Sequence, residues 1–383
     1  MAIQLSLTED QAMLQKTANA FFAEHSPLTR LRKLRDSGDE LGYNRELFQQ
    51  MAELGWTAIP FEERDGGLGM GLAGAILISE AMGRTLAVEP YIPSILLAGQ
   101  VLALAGTPAQ REAWLAPAIA GEKVLAFAQQ EKTSRYSATN VQTKAVPSKN
   151  GGYTLNGEKH GVLAGARADA YLVSARTSGD SKSVNGVSLF LVPANTPGLK
   201  VTRQRRIDSR NAAIVELKDV QVGADALVGE KDGAGKLIEA TLERATVALC
   251  GEMLGAMTAA FDSTLAYLKE RKQFNVLIGS FQALKHRAAK MFIEIELARS
   301  ATMLAARALD DNDPEAHALV SVAKARCSDA YVLVANEAVQ LFAGIGMTDE
   351  HDIGFFIKHA RTCELTFGDA AYHRDRFATL NGY

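Results

Sequence analysis

The sequence predicts an α+β protein, mostly α: an N-terminal helical domain, a middle antiparallel β domain and a C-terminal four-helix bundle. Three observations lead there. A length of 383 residues exceeds the roughly 150 of a common single domain by enough for two or three packed units. Hydrophobic residues at 47% and charged residues at 22% match ordinary globular chains rather than disordered ones. The apolar spacing also changes period twice, from helical to alternating and back, which sets the expected domains at 1–122, 123–232 and 233–383.

In the first block Ala12, Leu14, Ala18, Phe21 and Phe22 recur at helical spacing behind Thr8 and Gln11, a capping-box pair. The loop Phe61-Glu-Glu-Arg-Asp-Gly-Gly-Leu-Gly-Met interrupts the helices. No GxGxxG follows a strand here, so the loop's glycines supply backbone freedom and not a phosphate cradle. The second block turns to short β-branched runs, among them Tyr153-Thr-Leu, Ala170-Tyr-Leu-Val, Val187-Ser-Leu-Phe-Leu-Val and Ile214-Val-Glu-Leu. Asn-Gly, Ser-Gly-Asp and Thr-Pro-Gly turns separate them. In the third block, helical stretches are expected over 235–270, 280–310, 313–342 and from 349 onward, with Asp313-Pro314 as N-cap and first helical residue. Long helices on short loops read as an antiparallel bundle.

Composition excludes several function classes. The net charge is −3, from 41 basic against 44 acidic residues, without long runs of one sign, so neither nucleic acid nor an anionic membrane is an expected partner. Cys250, Cys327 and Cys363 lie far apart with no CxxC, and the seven histidines contain no HxxxH pair, so no metal site is expected. Free thiols fit a reducing compartment. The segment Met1-Ala-Ile-Gln-Leu-Ser-Leu has no cationic start before an apolar core, and no stretch reads as long as a bilayer span; a cytoplasmic location is expected. Arg203, Arg205 and Arg206 form a short basic cluster read as a solvated turn, with binding of a ligand's phosphates as a second use.

The block order, with Tyr267-Leu-Lys-Glu-Arg-Lys-Gln-Phe-Asn-Val-Leu-Ile-Gly-Ser-Phe-Gln at the first bundle hairpin, resembles the acyl-CoA dehydrogenase family over nearly the whole chain. Leu54-Gly-Trp, Tyr153-Thr-Leu-Asn-Gly-Glu-Lys, Leu217-Lys-Asp-Val-Gln-Val and Gln340-Leu-Phe-Ala-Gly-Ile-Gly recur in the family's order. Within it, Ala126-Phe-Ala-Gln-Gln-Glu-Lys-Thr-Ser-Arg-Tyr and Thr366-Phe-Gly-Asp-Ala-Ala-Tyr-His-Arg look most like the small-subunit type of pimeloyl-CoA dehydrogenase. The resemblance implies an FAD enzyme that forms an α,β double bond in an acyl-CoA thioester and passes electrons to an electron-transferring flavoprotein. A carboxylate removes the α proton while hydrogen bonds stabilise charge on the thioester oxygen.

Carried over residue by residue, the family's features are unevenly kept. Where many members carry a Tyr-Glu-Gly-Thr base segment, this chain has Thr366-Phe367-Gly368-Asp369, and a phenyl ring accepts no proton. Other members place the glutamate in a Glu-Arg pair on the first bundle helix, which here is Glu243-Arg244. Glu243 is thus the implied base, with Arg244 beside the CoA. The small neighbours Ala240, Val247 and Cys250 would leave room for an acyl chain and partly desolvate the carboxylate, with the Thr246 hydroxyl placed to donate a hydrogen bond to it. A surface glutamate paired with Lys236 or Arg244 is the competing reading. Arg271, Gln273 and Phe274 match a segment that holds FAD pyrophosphate and adenine across a subunit boundary, and Gln340 with Gly344 matches the adenine-side motif. A planar arginine fork suits pyrophosphate.

The flavin-ring side departs from the family. The Thr-Glu-Pro-Gly-Ala-Gly-Ser-Asp loop is here Gln130-Glu131-Lys132-Thr133-Ser134-Arg135-Tyr136-Ser137, and Trp-Ile-Thr-Asn is Gly161-Val162-Leu163-Ala164. Backbone amides of Gln129 and Gln130 remain as implied flavin contacts. Asp369 replaces a threonine and would repel a nearby pyrophosphate. Homo-oligomer and heteromer with a second dehydrogenase subunit both stay open. So do two alternatives: a non-catalytic supporting subunit, and a relative with other flavin chemistry.

Overall fold

The computed structural model describes residues 6–149 and 151–383; the first residues of the segment read for a leader, 1–5, lie outside it. The described chain divides into two compact units, one of Met1–Lys33, Leu72–Ala87 and Thr246–Tyr383, the other of Leu34–Gly71 and Val88–Ala245.

The first unit is helical. Helix Glu9–His25 begins as its capping box requires: Thr8 Oγ1 accepts from the Gln11 N–H and Gln11 returns the bond to the Thr8 N–H, both at 3.2 Å. Helix Gly71–Thr85 has no local side-chain cap, and the Asp310 carboxylate supplies one from another helix, accepting from Leu72 N–H at 2.8 Å and Ala73 N–H at 2.9 Å. Main chains meet where Gly71–Thr85 crosses helix Ala234–Glu270: a Cβ on Gly255 would lie 1.8 Å from the Glu80 carbonyl oxygen, and one on Gly83 would lie 2.0 Å from that of Glu252. No larger residue fits there without moving a helix. A partly buried ion pair, Arg299 to Glu80 at 2.6 Å, bolts the same crossing to helix Gln282–Asp310.

The C-terminal helices differ from expectation in three places. Helix Ala316–Phe342 begins three residues after Asp313, whose carboxylate accepts from the Glu315 N–H at 2.8 Å and so shapes the turn before the helix. The last helical stretch is two helices, Ile353–Leu365 and Ala370–Leu380, broken where Phe367 and Gly368 both take positive φ. By length and composition alone, 316–347 also qualifies as a bilayer span, contrary to the sequence reading. The buried ammonium of Lys324 explains why it serves as a core helix: it donates to the carbonyls of Gly368 at 2.6 Å and Glu364 at 3.1 Å and to Ser328 Oγ at 3.1 Å. All three cysteines are buried thiols.

The second unit carries an eight-stranded sheet, ordered β6-β7-β3-β2-β4-β5-β8 with β1 on β4. The strands are β1 Leu125–Ala128, β2 Lys144–Pro147, β3 Tyr153–Leu163, β4 Ala170–Arg176, β5 Val187–Pro193, β6 Leu199–Arg205, β7 Asn211–Val222 and β8 Leu227–Val228. It is mixed, not antiparallel: β1 runs parallel to β4 from Leu125↔Ala170 to Ala128↔Val173, and β2 meets β4 in parallel at Lys144↔Arg176. The side-chain period is two in either direction, so alternation in sequence carries no sign of the difference. In the loop 61–70, Gly66 and Gly69 take positive φ as their backbone role requires.

Replacing Gly255 with Ala should cost at least about 3 kcal/mol, the upper range for overpacking against a backbone that cannot yield. The urea midpoint of Gly255→Ala against wild type measures it, and a loss under 1 kcal/mol would show that the helices part freely.

Candidate active site

Around the altered loop, one buried ion pair organises the second unit. Lys159, on β3, is fully buried and its Nζ donates to Glu131 Oε1 at 2.7 Å, to Ser174 Oγ on β4 at 3.0 Å and to the Gln129 carbonyl at 3.4 Å. Glu131 in turn accepts from the N–H groups of Gln142 (2.7 Å) and Thr143 (3.0 Å) and from Thr143 Oγ1 (2.7 Å). Both oxygens of that carboxylate accept, Oε1 from three donors and Oε2 from one. Burial raises its pKa, but the Lys159 ammonium and the donated hydrogen bonds outweigh this and hold it below the ordinary carboxylate range. Burial lowers Lys159 to about 8 against the pull of Glu131. The sequence reading placed Glu131 in the departed loop and Lys159 in a kept family segment and missed the pair; their 28-residue separation leaves no local signal.

The pair places the two glutamines singled out for the flavin. The Gln129 side chain donates to the Ser137 carbonyl at 3.0 Å, and the Gln130 carbonyl accepts from His160 N–H at 2.8 Å. Their main-chain N–H groups have no hydrogen-bond partner among the described residues. The 130–137 loop therefore lies beside Gly161 of β3. Gly161 stands at a bulge between Lys159 and Val162 with φ of +59°, a conformation that penalises any side chain, so an aromatic residue there would strain this backbone.

Glu243 and Arg244 lie on helix Ala234–Glu270. Glu243 is 6% exposed, which removes the surface-glutamate reading; Arg244 is half-buried. Phe367 is half-buried with φ of +60°, and its carbonyl accepts from His373 Nε2 at 3.0 Å. Asp369, expected to repel pyrophosphate, is an N-cap: its carboxylate accepts from Tyr372 N–H at 2.8 Å and is spent on helix Ala370–Leu380.

Arg271, Gln273 and Phe274 share one exposed hairpin, strands Lys272–Gln273 and Val276–Leu277. Its two turn residues, Phe274 (φ +53°) and Asn275 (φ +62°), both adopt the left-handed conformation of a two-residue hairpin turn. Phenylalanine is costly there, yet its side chain is 87% exposed. Gln340 and Gly344, both exposed, flank Phe342, whose ring packs on Tyr267 with centroids 4.6 Å apart. Tyr267 lies one turn before Arg271, so the two motifs come to the same end of the first unit. Gln129, Gln130, Glu243 and Arg244 belong to the second unit. Among the described residues no His, Cys, Asp or Glu cluster could hold a metal.

Three family models match in sequence: the N-terminal domain of acyl-CoA dehydrogenase over residues 8–122, the middle domain over 126–220 and the C-terminal domain over 233–379. The chain belongs to the acyl-CoA dehydrogenase family. A probable acyl-CoA dehydrogenase of Bacillus subtilis, YngJ, is 30% identical over 97% of this chain and 98% of its own. Three solved structures superpose on it. Butyryl-CoA dehydrogenase of Megasphaera elsdenii does so with a TM-score of 0.91 at 28% identity, covering 98% of this chain and 99% of that one. A chain in the structure of the electron transferring flavoprotein of Acidaminococcus fermentans gives 0.92 at 27%, covering 99% and 100%. One in the ChsE4-ChsE5 complex of Mycobacterium tuberculosis gives 0.88 at 27%, covering 100% of both.

As an acyl-CoA dehydrogenase the protein is an oxidoreductase of a family whose members are flavoproteins using FAD. The residues present fit that cofactor unevenly. Unpartnered N–H groups at Gln129 and Gln130 suit a flavin's ring acceptors, and a strained, exposed Phe274 beside Arg271 suits an adenine dinucleotide. At Gly161 neither an aromatic face nor a hydroxyl is offered.

Two outcomes follow from this geometry. Lys159→Met leaves Glu131 charged and buried without its cation, at a cost of about 3–5 kcal/mol; the double variant with Glu131→Gln should recover part of it in urea titrations, and equal losses would deny the pairing. Phe274→Asn relieves the left-handed strain and should stabilise the chain by about 1 kcal/mol while lowering the FAD retained through gel filtration. Unchanged retention would detach Phe274 from the cofactor.

Proposed function

We propose that this acyl-CoA dehydrogenase forms the α,β double bond of an acyl-CoA thioester using FAD, with Glu243 as general base. The burial of Glu243 carries the reading. A carboxylate at 6% exposure on the helix position where part of the family keeps its base is held away from competing water, while the other family position is filled by Phe367. Glu243 takes the α proton, and Arg244 steadies the CoA thioester. FAD, when bound, accepts the hydride leaving the β carbon. Gln129 and Gln130 offer N–H donors to its ring, and across a subunit boundary Arg271 of a neighbouring subunit offers its fork to the pyrophosphate, with Gln273, Phe274, Gln340 and Gly344 of that subunit about the adenine.

Within the same proposal, electrons pass to an electron-transferring flavoprotein, the protein is cytoplasmic, and segments Ala126–Tyr136 and Thr366–Arg374 align it with the small-subunit type of pimeloyl-CoA dehydrogenase. Similarity to chains in an electron transferring flavoprotein structure and in a ChsE4-ChsE5 complex supports flavoprotein and oligomeric partners. A second reading has its own support: the flavin-ring side lacks the aromatic cover at Gly161 while the hairpin at Phe274 is intact. A supporting subunit that lends its hairpin to a flavin on a different chain would show that asymmetry.

Purified Glu243→Gln should keep its flavin spectrum and lose about 10²–10⁴-fold in turnover with an artificial electron acceptor, the usual contribution of a general base. Undiminished turnover removes Glu243 from the mechanism. Wild-type protein that neither retains nor takes up FAD, at a native mass lacking a partner, selects the supporting-subunit reading.

A further inference from the structure

We propose that a cavity of about 780 Å³ at the free edge of the sheet binds a phosphorylated small molecule of nucleoside diphosphate size. It is carried by strand β6, the sheet's edge. By the strand's period of two, Leu199, Val201, Arg203 and Arg205 share one face. Leu199 and Val201 pack on the apolar core, but at the next two positions arginine replaces the expected hydrophobe. Arg203 and Arg205 are thus strand residues lining a cavity and not members of a solvated turn. Arg206 lies just past the strand's end, its guanidinium gripping Asp208 with two bonds of 3.1 Å.

Arg45 and Arg167 join them on the cavity wall, with Glu40 and Asp169 as its carboxylates. Four guanidiniums face two anions, and both anions are engaged: Glu40 pairs with Arg167, and Asp169 accepts from the Val124 N–H at 2.7 Å. Among the described residues Arg203 reaches only the Gly38 carbonyl, at 3.3 Å through Nη1, and its buried Nε has no partner there. Arg205 makes no hydrogen bond or ion pair among the described residues. A buried orphaned donor costs about 1–3 kcal/mol and calls for an acceptor. Convergent planar forks with an excess of two positive charges suit a diphosphate better than a single carboxylate. The volume lies within the range of small-molecule sites and far exceeds what one phosphate fills. This site is independent of the proposed dehydrogenation.

Calorimetric titration of the FAD-saturated protein with ADP tests it, since saturating FAD keeps ADP from the flavin's own place. One ADP per chain should bind, at least tenfold more weakly in Arg203→Gln and in Arg205→Gln, with pyrophosphate displacing it and adenosine giving no heat. Arg205 is exposed at an edge, so its variant should melt like wild type and remains informative if Arg203→Gln does not fold. Absence of ADP binding, or binding indifferent to Arg205→Gln, overturns the proposal. Binding of pyrophosphate with ADP excluded overturns the assigned ligand size.

Discussion

The second unit depends on a charge that has no right to be buried alone. Lys159 lies at zero exposure in the middle of a β domain, where an unpaired ammonium would cost several kcal/mol, so Glu131 must meet it. That requirement orders everything nearby. Glu131 draws the start of the 130–137 loop onto β3, its other donors tie in residues 142 and 143 ahead of β2, and Lys159 reaches β4 through Ser174. The loop lacks the glycines that shape its counterpart in relatives, yet an ion pair holds its first residues in place. The backbone amides of Gln129 and Gln130 are the free groups this arrangement leaves.

A different constraint rules the helical unit: close approach of main chains. Gly83 and Gly255 let two helices meet backbone to backbone, which leaves little space for apolar side chains in the crossing. Polar groups then do the fastening. Arg299 pairs with Glu80, Asp310 caps the neighbouring helix, and a buried chain runs from Glu252 through His359 to Tyr331, with both links at 3.0 Å. Such networks are satisfied at every step or they are costly, so they define a single packing.

Strain and exposure single out the hairpin. An aromatic ring in the left-handed conformation at the tip of a two-residue turn, almost wholly exposed, is disfavoured on both counts by the chain considered by itself. At Phe367, where the resemblance places the base of many members, the turn serves the fold, with Asp369 capping a helix and Gly368 offering its carbonyl to Lys324.

Much was legible in the sequence because it is local. The capping box at Thr8, the periods that separate helix from strand, and the family segments at Arg271, Gln340 and Glu243 each lie within a few residues of one another. Strand direction was not legible, since the alternation of side chains is the same for parallel β1 and antiparallel β5. Nor was the membrane-length helix, whose role rests on Lys324 meeting carbonyls about forty residues away. Tertiary structure alone decided that Glu243 is buried, that Asp369 is a cap, that Glu131 and Lys159 are one unit, and that two arginines of an edge strand face a cavity. Except at Asp369, whose cap partner Tyr372 lies three residues on, the deciding partner is distant in sequence, and burial or pairing belongs to the folded contact and not to the residue.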